Sequence, residues 1–379
     1  MSIPLTDEQQ MVRAMVRDFA RKEIEPIAAE DDRIGRFPVE SVKKMGELGL
    51  MGMMIPEKYG GAGAGAVSYV LAIQEIAYSC ASTAVTMSCN NLACEPLSMH
   101  GSEYLKINYL TPLASGKKLG CICITEPDAG SDVSALRTKA VKKGGSYIIN
   151  GGKMFITNGG FSDCFVVFVR TGEHKHRGLS AVVIDRDTPG LTIGPKEDKM
   201  GLRASNTVPL TFEDCAIPVE NLIGEEGEGF TIVMEALDRG RLGIAAQAVG
   251  IARAALDEAV KYAQNRKTFG RNISSHQAIR WMIADAARDI EAAHTLVLSA
   301  CMACDRGEPF TRQASIAKLF ASEAANRIAY DALQIHGGYG YIKEFKVERL
   351  YRDARITTIY EGSSEVQRMV IANQILQSQ

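Results

Sequence analysis

No apolar run in this 379-residue chain approaches the ~20 residues needed to span a bilayer, and Ser2-Ile3-Pro4-Leu5-Thr6-Asp7-Glu8-Gln9-Gln10 lacks a signal-peptide pattern. A soluble cytoplasmic protein without stable membrane association is the expectation. An excess of one charge is also missing: 43 basic residues against 45 acidic leave a net charge of -2. Nothing in that balance argues for a nucleic-acid or anionic-membrane partner. The nine cysteines are odd in number and scattered through apolar segments, which fits buried or free thiols in a reducing compartment rather than a disulfide framework. There is no P-loop, no Gly-x-Ser-x-Gly nucleophile elbow, no solenoid-like repeat and no low-complexity linker.

What is present reads as helix, then sheet, then helix, an α+β chain. Met11, Met15, Phe19 and Ile24 recur at near-helical spacing among charges over residues 7–30, and residues 68–80 repeat the habit. Short β-rich runs follow at 119–125, 147–150, 164–170, 179–185 and 208–212, with turns at Gly144-Gly145, Asn158-Gly159-Gly160 and Pro189-Gly190. Without long helices between them, they predict an antiparallel sandwich or barrel and not a βαβ sheet. Long amphipathic stretches return at 230–265, 275–305, 311–335 and 364–376. The expected domains are a helical one over 1–118, a β-domain over 119–226 and a helical bundle over 227–379.

Several motifs carry less chemistry than they promise. Gly61-Ala62-Gly63-Ala64-Gly65-Ala66 matches the dinucleotide fingerprint, but Pro56-Glu57-Lys58-Tyr59 precedes it where a hydrophobic strand is required, so it reads as a mobile loop. Cys301-Met302-Ala303-Cys304 has zinc or redox spacing inside a helical segment with no second pair, and His174-Lys175-His176 sits in a charged turn. No metal site is expected.

Three stretches are more informative. In Cys121-Ile122-Cys123-Ile124-Thr125-Glu126-Pro127-Asp128-Ala129-Gly130-Ser131-Asp132 a strand runs into a turn edged with hydroxyls and exposed amides, chemistry suited to a flavin edge or a pyrophosphate. Lys153-Met154-Phe155-Ile156-Thr157-Asn158 adds an aromatic ring for a planar cofactor and a hydroxyl for its rim. Near the C-terminus, Ile359-Tyr360-Glu361-Gly362-Ser363-Ser364 puts one carboxylate between an apolar strip and a glycine-serine turn. Ile359 and Tyr360 are expected to strip hydration from Glu361 and raise its pKa toward the range of a general base. The plainer reading is a helix start, with Ser364 and Gln367 as a capping box.

Taken together, five blocks give the chain its resemblance to the acyl-CoA dehydrogenase family over essentially its whole length: 124–132, 155–158, Arg266-Lys267-Thr268-Phe269-Gly270, Gln334-Ile335-His336-Gly337-Gly338-Tyr339-Gly340 and 359–362. The resemblance implies a helical N-terminal domain, an antiparallel β middle domain, a C-terminal four-helix bundle, one FAD per subunit and a homotetramer. It makes Glu361 the base that removes the α-proton of an acyl-CoA thioester while the β-hydride passes to flavin N5. It assigns Ile122, Ile124, Thr125, Gly130, Ser131, Phe155, Ile156 and Thr157 to the cofactor from one subunit, and Arg266, Gln277, Gln334, Ile335, Gly337 and Gly338 from a neighbour, with Phe269 a further cofactor contact. Ser363, Ser364 and Glu365 would close over it. Ser131, Asp238, Arg241, Tyr360 and Gly362 match positions that contact the acyl-CoA, Asp238 and Arg241 also reading as an i,i+3 helix pair.

Departures from the family pattern bear on substrate. Phe155 stands where many members have tryptophan. Gly240 occupies the position where isovaleryl- and long-chain-type members place their base, which leaves Glu361 without a rival and points to the short-chain, butyryl-type branch. Asn90 and Asn91 fall near the expected acyl tail: either they are locked into backbone bonds, or Asn91 marks an unusual acyl group such as a small alicyclic one. The expected function is dehydrogenation of a short linear or small cyclic acyl-CoA with electron-transferring flavoprotein as partner. An enoyl-CoA reductase running in reverse and a catalytically silent flavin- or thioester-binding protein are the alternatives.

Overall fold

The computed structural model describes residues 3–377. Seven helices come first: α1 Asp7–Phe19, α2 Glu25–Ile34, α3 Val39–Glu47, α4 Gly65–Ser79, α5 Ala81–His100, α6 Glu103–Leu105 and α7 Thr111–Ala114. Thr6 caps α1 through a reciprocal capping box with Gln9. Nearly every residue of α4 and α5 is buried, so neither shows a clean amphipathic stripe; both are core helices.

Strands β1 Gly120–Cys123, β2 Lys139–Lys143, β3 Ser146–Thr157, β4 Cys164–Arg170, β5 Leu179–Asp185, β6 Leu191–Ile193, β7 Thr207–Pro218 and β8 Leu222–Ile223 form one eight-stranded sheet. Its order is β6-β7-β3-β2-β4-β5-β8, with β1 alongside β4. The expectation of antiparallel pairing holds for most of it and fails at β4, which takes β2 in parallel at Lys139 opposite Arg170 and β1 in parallel from Gly120 opposite Cys164 to Cys123 opposite Val167. Strands β1 and β4 are buried and rich in apolar residues, as parallel neighbours generally are, whereas β2 is mostly exposed.

The remaining helices are α8 Gly229–Asn265, α9 Gln277–Asp305, α10 Thr311–His336, α11 Lys346–Arg355 and α12 Ser364–Gln377, with a short hairpin of β9 Lys267–Thr268 and β10 Arg271–Asn272 between α8 and α9. Helix α8 is the axis of the molecule, packing on α4, α5, α9 and α10. Three of its glycines set how closely its neighbours approach. A Cβ at Gly250 would stand 2.6 Å from the Gln74 carbonyl oxygen, one at Gly243 would meet the Tyr69 hydroxyl at 2.6 Å, and one at Gly240 would meet the Glu361 carboxylate at 2.6 Å. Glycine in a helix interior costs roughly 1 kcal/mol against alanine; here it makes room.

The Gly61–Ala66 segment is not a free loop. Its amides from Gly61 to Ala64 bond back onto residues 52–56, and the first turn of α4 is capped by Asp305, which accepts from Ala66 and Val67 at 2.6 and 3.1 Å. Cys301 is buried in α9 and Cys304 half-buried, both as free thiols.

Glu75, buried on α4, ties the N-terminal helix to α8: Arg13 and Arg17 of α1 and Arg253 of α8 all bond to its carboxylate, at 3.0–3.2 Å. Burial alone would raise its pKa, but the hydrogen bond from Arg17 and the charge of Arg253 overcome this and bring it to about 2, from 4.5. The stability this supplies is complete above about pH 4.5 and is lost as pH falls toward about 2. Glu75→Gln is therefore expected to lower stability near pH 7 by about 3 kcal/mol, a gap that narrows near pH 3. Denaturant titration at the two pH values checks this; an equal gap at both would contradict it.

Candidate active site

Residues 356–364 cross from α11 to α12 as a strap over α8 and α10, and Glu361 sits at its bend. Upstream, Thr357 bonds to the Ala354 carbonyl, which also accepts from Asn326 of α10. Tyr360 donates its hydroxyl to Gln247 of α8, which in turn donates to the Ala81 carbonyl of α5 at 2.9 Å. Glu361 and Gly362 then both take left-handed backbone, φ 53° and 84°. For a non-glycine residue that conformation is uphill and persists only where neighbours enforce it. Gln367 of α12 donates to the carbonyls of Glu361 and Gly362, at 3.1 and 2.9 Å, and Lys318 of α10 donates to Gly362 at 2.6 Å.

This differs from the expected capping box. Ser364 is the first residue of α12, and the capping oxygen is that of Ser363, which accepts from Val366 at 3.5 Å. Gln367 is spent on the strap, so the helix start and the carboxylate turn are one device.

The carboxylate points inward. Its Oε2 atom is buried without a hydrogen-bond partner and lies 2.6 Å from where a Gly240 Cβ would be, with Leu92 of α5 at 3.3 Å from the same point. Burial raises the Glu361 pKa to about 7, against the opposing charges of Lys318 and Arg241. The wall that strips its water is thus α8 and α5, not Ile359, which is 50% exposed.

Asp238 and Arg241 form their i,i+3 pair one helical turn away, largely buried rather than on a helix surface. Thr311 donates to Asp238, Arg241 reaches Ser315 at 3.4 Å, and the Arg241 Nε stays buried without a partner. An unpaired guanidinium N–H beside a buried carboxylate is a donor awaiting an acceptor.

The strand-turn segments lie side by side. Met154 donates its amide to the Thr125 carbonyl at 2.8 Å, and Cys89 of α5 reaches the Thr157 carbonyl at 3.4 Å. Since Cys89 and Leu92 are one turn apart on α5, this edge and the Glu361 carboxylate flank the same stretch of helix. Glu126, buried, holds the turn by accepting from Arg137 and Thr138 amides and the Lys153 ammonium. Phe155 stands at a bulge with φ 59°, its ring 61% exposed. Ile122, Ile124, Thr125 and Thr157 are half-buried, Gly130 and Ser131 are exposed, and nothing lies within 4 Å of where a Gly130 Cβ would be. An exposed ring, threonine hydroxyls and open backbone fit a flavin; the Ile156 side chain is the exception, buried in the sheet.

The second expected group gathers at the far end of α8. Arg266 lies about 39 Å along that helix from Gly240. It shares a groove of about 480 Å³ with Ile335, Gly337 and Gly338, and stacks on Tyr339. Gln277 and Gln334 are exposed nearby in sequence, and Phe269, at φ 51°, is 95% exposed. One chain therefore cannot bring both groups to a single flavin ring. Ser363 is half-buried, Glu365 exposed, and Ser364 buried with its hydroxyl unpartnered.

Asn91 is corrected by the geometry. Its amide donates to the Leu50 and Met87 carbonyls and accepts from Met53, at 2.9–3.0 Å, while Asn90 bonds to Met51, Leu113 and Gly120. Every polar side-chain atom of both is engaged by backbone, and both residues are buried, so neither is presented to an acyl chain. The residues missed were Lys318, Gln247 and the Tyr69–Ser88 hydroxyl pair, while Gln367 was read only as a helix cap. A signal existed for one of them: Thr311, Ser315, Lys318 and Ser322 form a polar stripe on the buried face of alanine-rich α10. Asn91→Ala should cost about 3 kcal/mol by orphaning buried backbone groups, with the ranking of acyl chains unchanged. Thermal melts and a substrate panel check this; altered ranking at unchanged stability would contradict it.

Comparison with known proteins matches three family models in order: the acyl-CoA dehydrogenase N-terminal domain over residues 6–117, the middle domain over 121–215 and the C-terminal domain over 227–376. The short-chain specific acyl-CoA dehydrogenase of Clostridium acetobutylicum is 49% identical over 99% of this chain and 100% of its own. The mitochondrial short-chain specific enzyme of Mus musculus is 50% identical over 100% of this chain and 92% of its own. Among solved structures, butyryl-CoA dehydrogenase from Megasphaera elsdenii superposes with a TM-score of 0.97 at 44% identity, covering 99% of this chain and 100% of that one. A chain from a structure described as the electron transferring flavoprotein of Acidaminococcus fermentans does so at 0.98 and 46%, covering 100% of both. This chain belongs to the acyl-CoA dehydrogenase family of FAD-dependent flavoprotein oxidoreductases.

Proposed function

We propose that this enzyme dehydrogenates a short-chain acyl-CoA, with Glu361 as the base. The observation that carries the reading is a carboxylate with one buried, unpartnered oxygen and a pKa near neutrality, seated in the space that Gly240 leaves free. In its ionised form Glu361 takes a proton from the carbon next to the thioester carbonyl, leaving an electron pair that becomes the new Cα–Cβ double bond. Its own backbone N–H is the donor we assign to the thioester oxygen, where charge builds up in that step. Arg241 and Asp238 bind the thioester chain, and the Arg241 Nε is the free donor for it. Residues 122–131 with Phe155 and Thr157 form the cofactor edge, where FAD, when bound, supplies the acceptor for the β-hydride.

Chain length is read from α8. The Tyr69–Ser88 pair fills the space at Gly243, about 4.5 Å along the helix from Gly240, so little room remains beyond the base for a long acyl tail. The names of the C. acetobutylicum and M. elsdenii relatives support a short linear chain. With Asn91 occupied, a small alicyclic acyl group keeps no support of its own.

The separation of Arg266, Phe269 and Gln277 from Glu361 supports completion of each flavin site by a neighbouring copy, as in a homotetramer. Likeness to the A. fermentans chain supports an electron-transferring flavoprotein as redox partner. The described residues contain no helix long and apolar enough to cross a membrane, and a cytoplasmic location is part of the proposal.

Purified protein is expected to carry a flavin absorption band that bleaches without oxygen on adding butyryl-CoA, faster than with octanoyl- or cyclohexanecarboxyl-CoA. Absence of the band, or no bleaching with any thioester, refutes the reading. Glu361→Gln should keep the flavin and lose about 10²–10⁴-fold in turnover. Near-normal turnover would move the base elsewhere. Because the base acts ionised, wild-type kcat/KM should climb as pH rises toward about 7 and level off above it.

A further inference from the structure

We infer that Lys318 is the positioning residue of the base: its ammonium holds the Glu361–Gly362 turn through the Gly362 carbonyl and supplies the charge that keeps the Glu361 carboxylate ionised for proton abstraction. This rests on the assignment of the base to Glu361.

Lys318 is fully buried on α10, between Ala314 and Ala321 of the face that packs against α8. Its Nζ bonds to the Gly362 oxygen at 2.6 Å. If satisfying that carbonyl were the whole role, the lysine would be superfluous, because the Gln367 amide already donates to the same oxygen at 2.9 Å. A buried ammonium carries a desolvation cost that a neutral donor would avoid. What it adds is charge, held at the next residue's carbonyl and felt by a carboxylate whose inner oxygen has no hydrogen-bond donor of its own.

The other charges around the pair do not substitute for it. Arg241 of α8 also faces Glu361, but it is paired with Asp238, and its influence on Glu361 is the smaller of the two. Lys318 faces Glu361 and Glu365 from the strap and α12, Glu323 from its own helix and Arg241 from α8. Tyr69, Cys89 and Tyr360 feel the Glu361 charge but stay neutral, because burial pushes all three up. Burial pulls Lys318 down to about 8, with Glu361 holding it up. The ammonium is thus still charged at the pH where Glu361 ionises.

The turn and the charge are linked through one atom. The Gly362 carbonyl follows the residue whose left-handed backbone aims the carboxylate inward, so fixing that oxygen fixes the direction of the side chain. Losing the ammonium should therefore alter both the ionisation of Glu361 and its rate of proton abstraction, with smaller effect on thioester binding through Arg241.

The test uses the holoenzyme with Lys318→Met, Lys318→Gln and Lys318→Arg. Two quantities are followed against pH: single-turnover flavin bleaching by butyryl-CoA, and the infrared carboxyl band of Glu361, identified as the band absent from Glu361→Gln. In Lys318→Met and Lys318→Gln, both the rate limb and the infrared midpoint are expected to move up by about 1 pH unit or more. Lys318→Arg should keep the midpoint near that of wild type while reacting more slowly. Lys318→Gln retains a donor for Gly362 and serves if the methionine variant does not fold. Unmoved limbs and midpoints in the neutral variants overturn the inference, even if melting temperature falls, since a purely structural lysine would lower stability alone. Near-normal turnover in Glu361→Gln would instead overturn the base assignment beneath it.

Discussion

A buried carboxylate with one oxygen unpaired is costly to keep in a folded protein, and the C-terminal half of this molecule is organised around that cost. The Glu361 oxygen sits in the gap over Gly240. Two cations on two helices, Lys318 on α10 and Arg241 on α8, lower the cost without forming a direct hydrogen bond that would use up its basicity. The left-handed turn that puts it there is held by the Tyr360–Gln247 contact on one side and the Gln367 and Lys318 donors on the other. Strain of this kind survives only where the surroundings over-determine it.

The rest of the fold supplies rigid elements for that arrangement. Helix α8 carries the glycines that let the carboxylate, the Tyr69–Ser88 pair and α4 come close, and α5 bridges from the sheet edge at Thr157 to the Glu361 carboxylate through Cys89 and Leu92. Far from the chemistry, Glu75 fastens α1 to α8. The acidic group there is held ionised by three arginines, while the one at the site is left poised near neutrality. The same side chain type is held ionised in one place and near neutrality in the other because of how it is buried and how many cations reach it.

Much of this was legible in the residues. The strands at Cys164–Arg170 and Leu179–Asp185 have the bounds their apolar runs predict, and the long C-terminal helices follow their periodicity. Strand β2 was not visible, since Lys-Ala-Val-Lys-Lys buries only Ala140 and offers no alternation to read. The parallel pairing of β1 with β4 is a long-range choice that local pattern does not encode. At the site, Glu361 stood out through its neighbours in sequence, but the reason for its altered pKa did not: Ile359 faces outward, and the desolvation comes from helices more than a hundred residues upstream. Asn91 misled for the mirror-image reason, as its three bonds lead to the backbone of residues 50–53 and 87, contacts that only the folded chain reveals.

The most direct measurement is the single-turnover rate of flavin bleaching with ordinary and α-deuterated butyryl-CoA across pH. With Glu361 as the buried base, the rate should rise about tenfold per pH unit below about pH 7 and reach a plateau above it, and α-deuteration should slow it at every pH. A rate that is flat through neutrality and indifferent to α-deuterium would contradict the account.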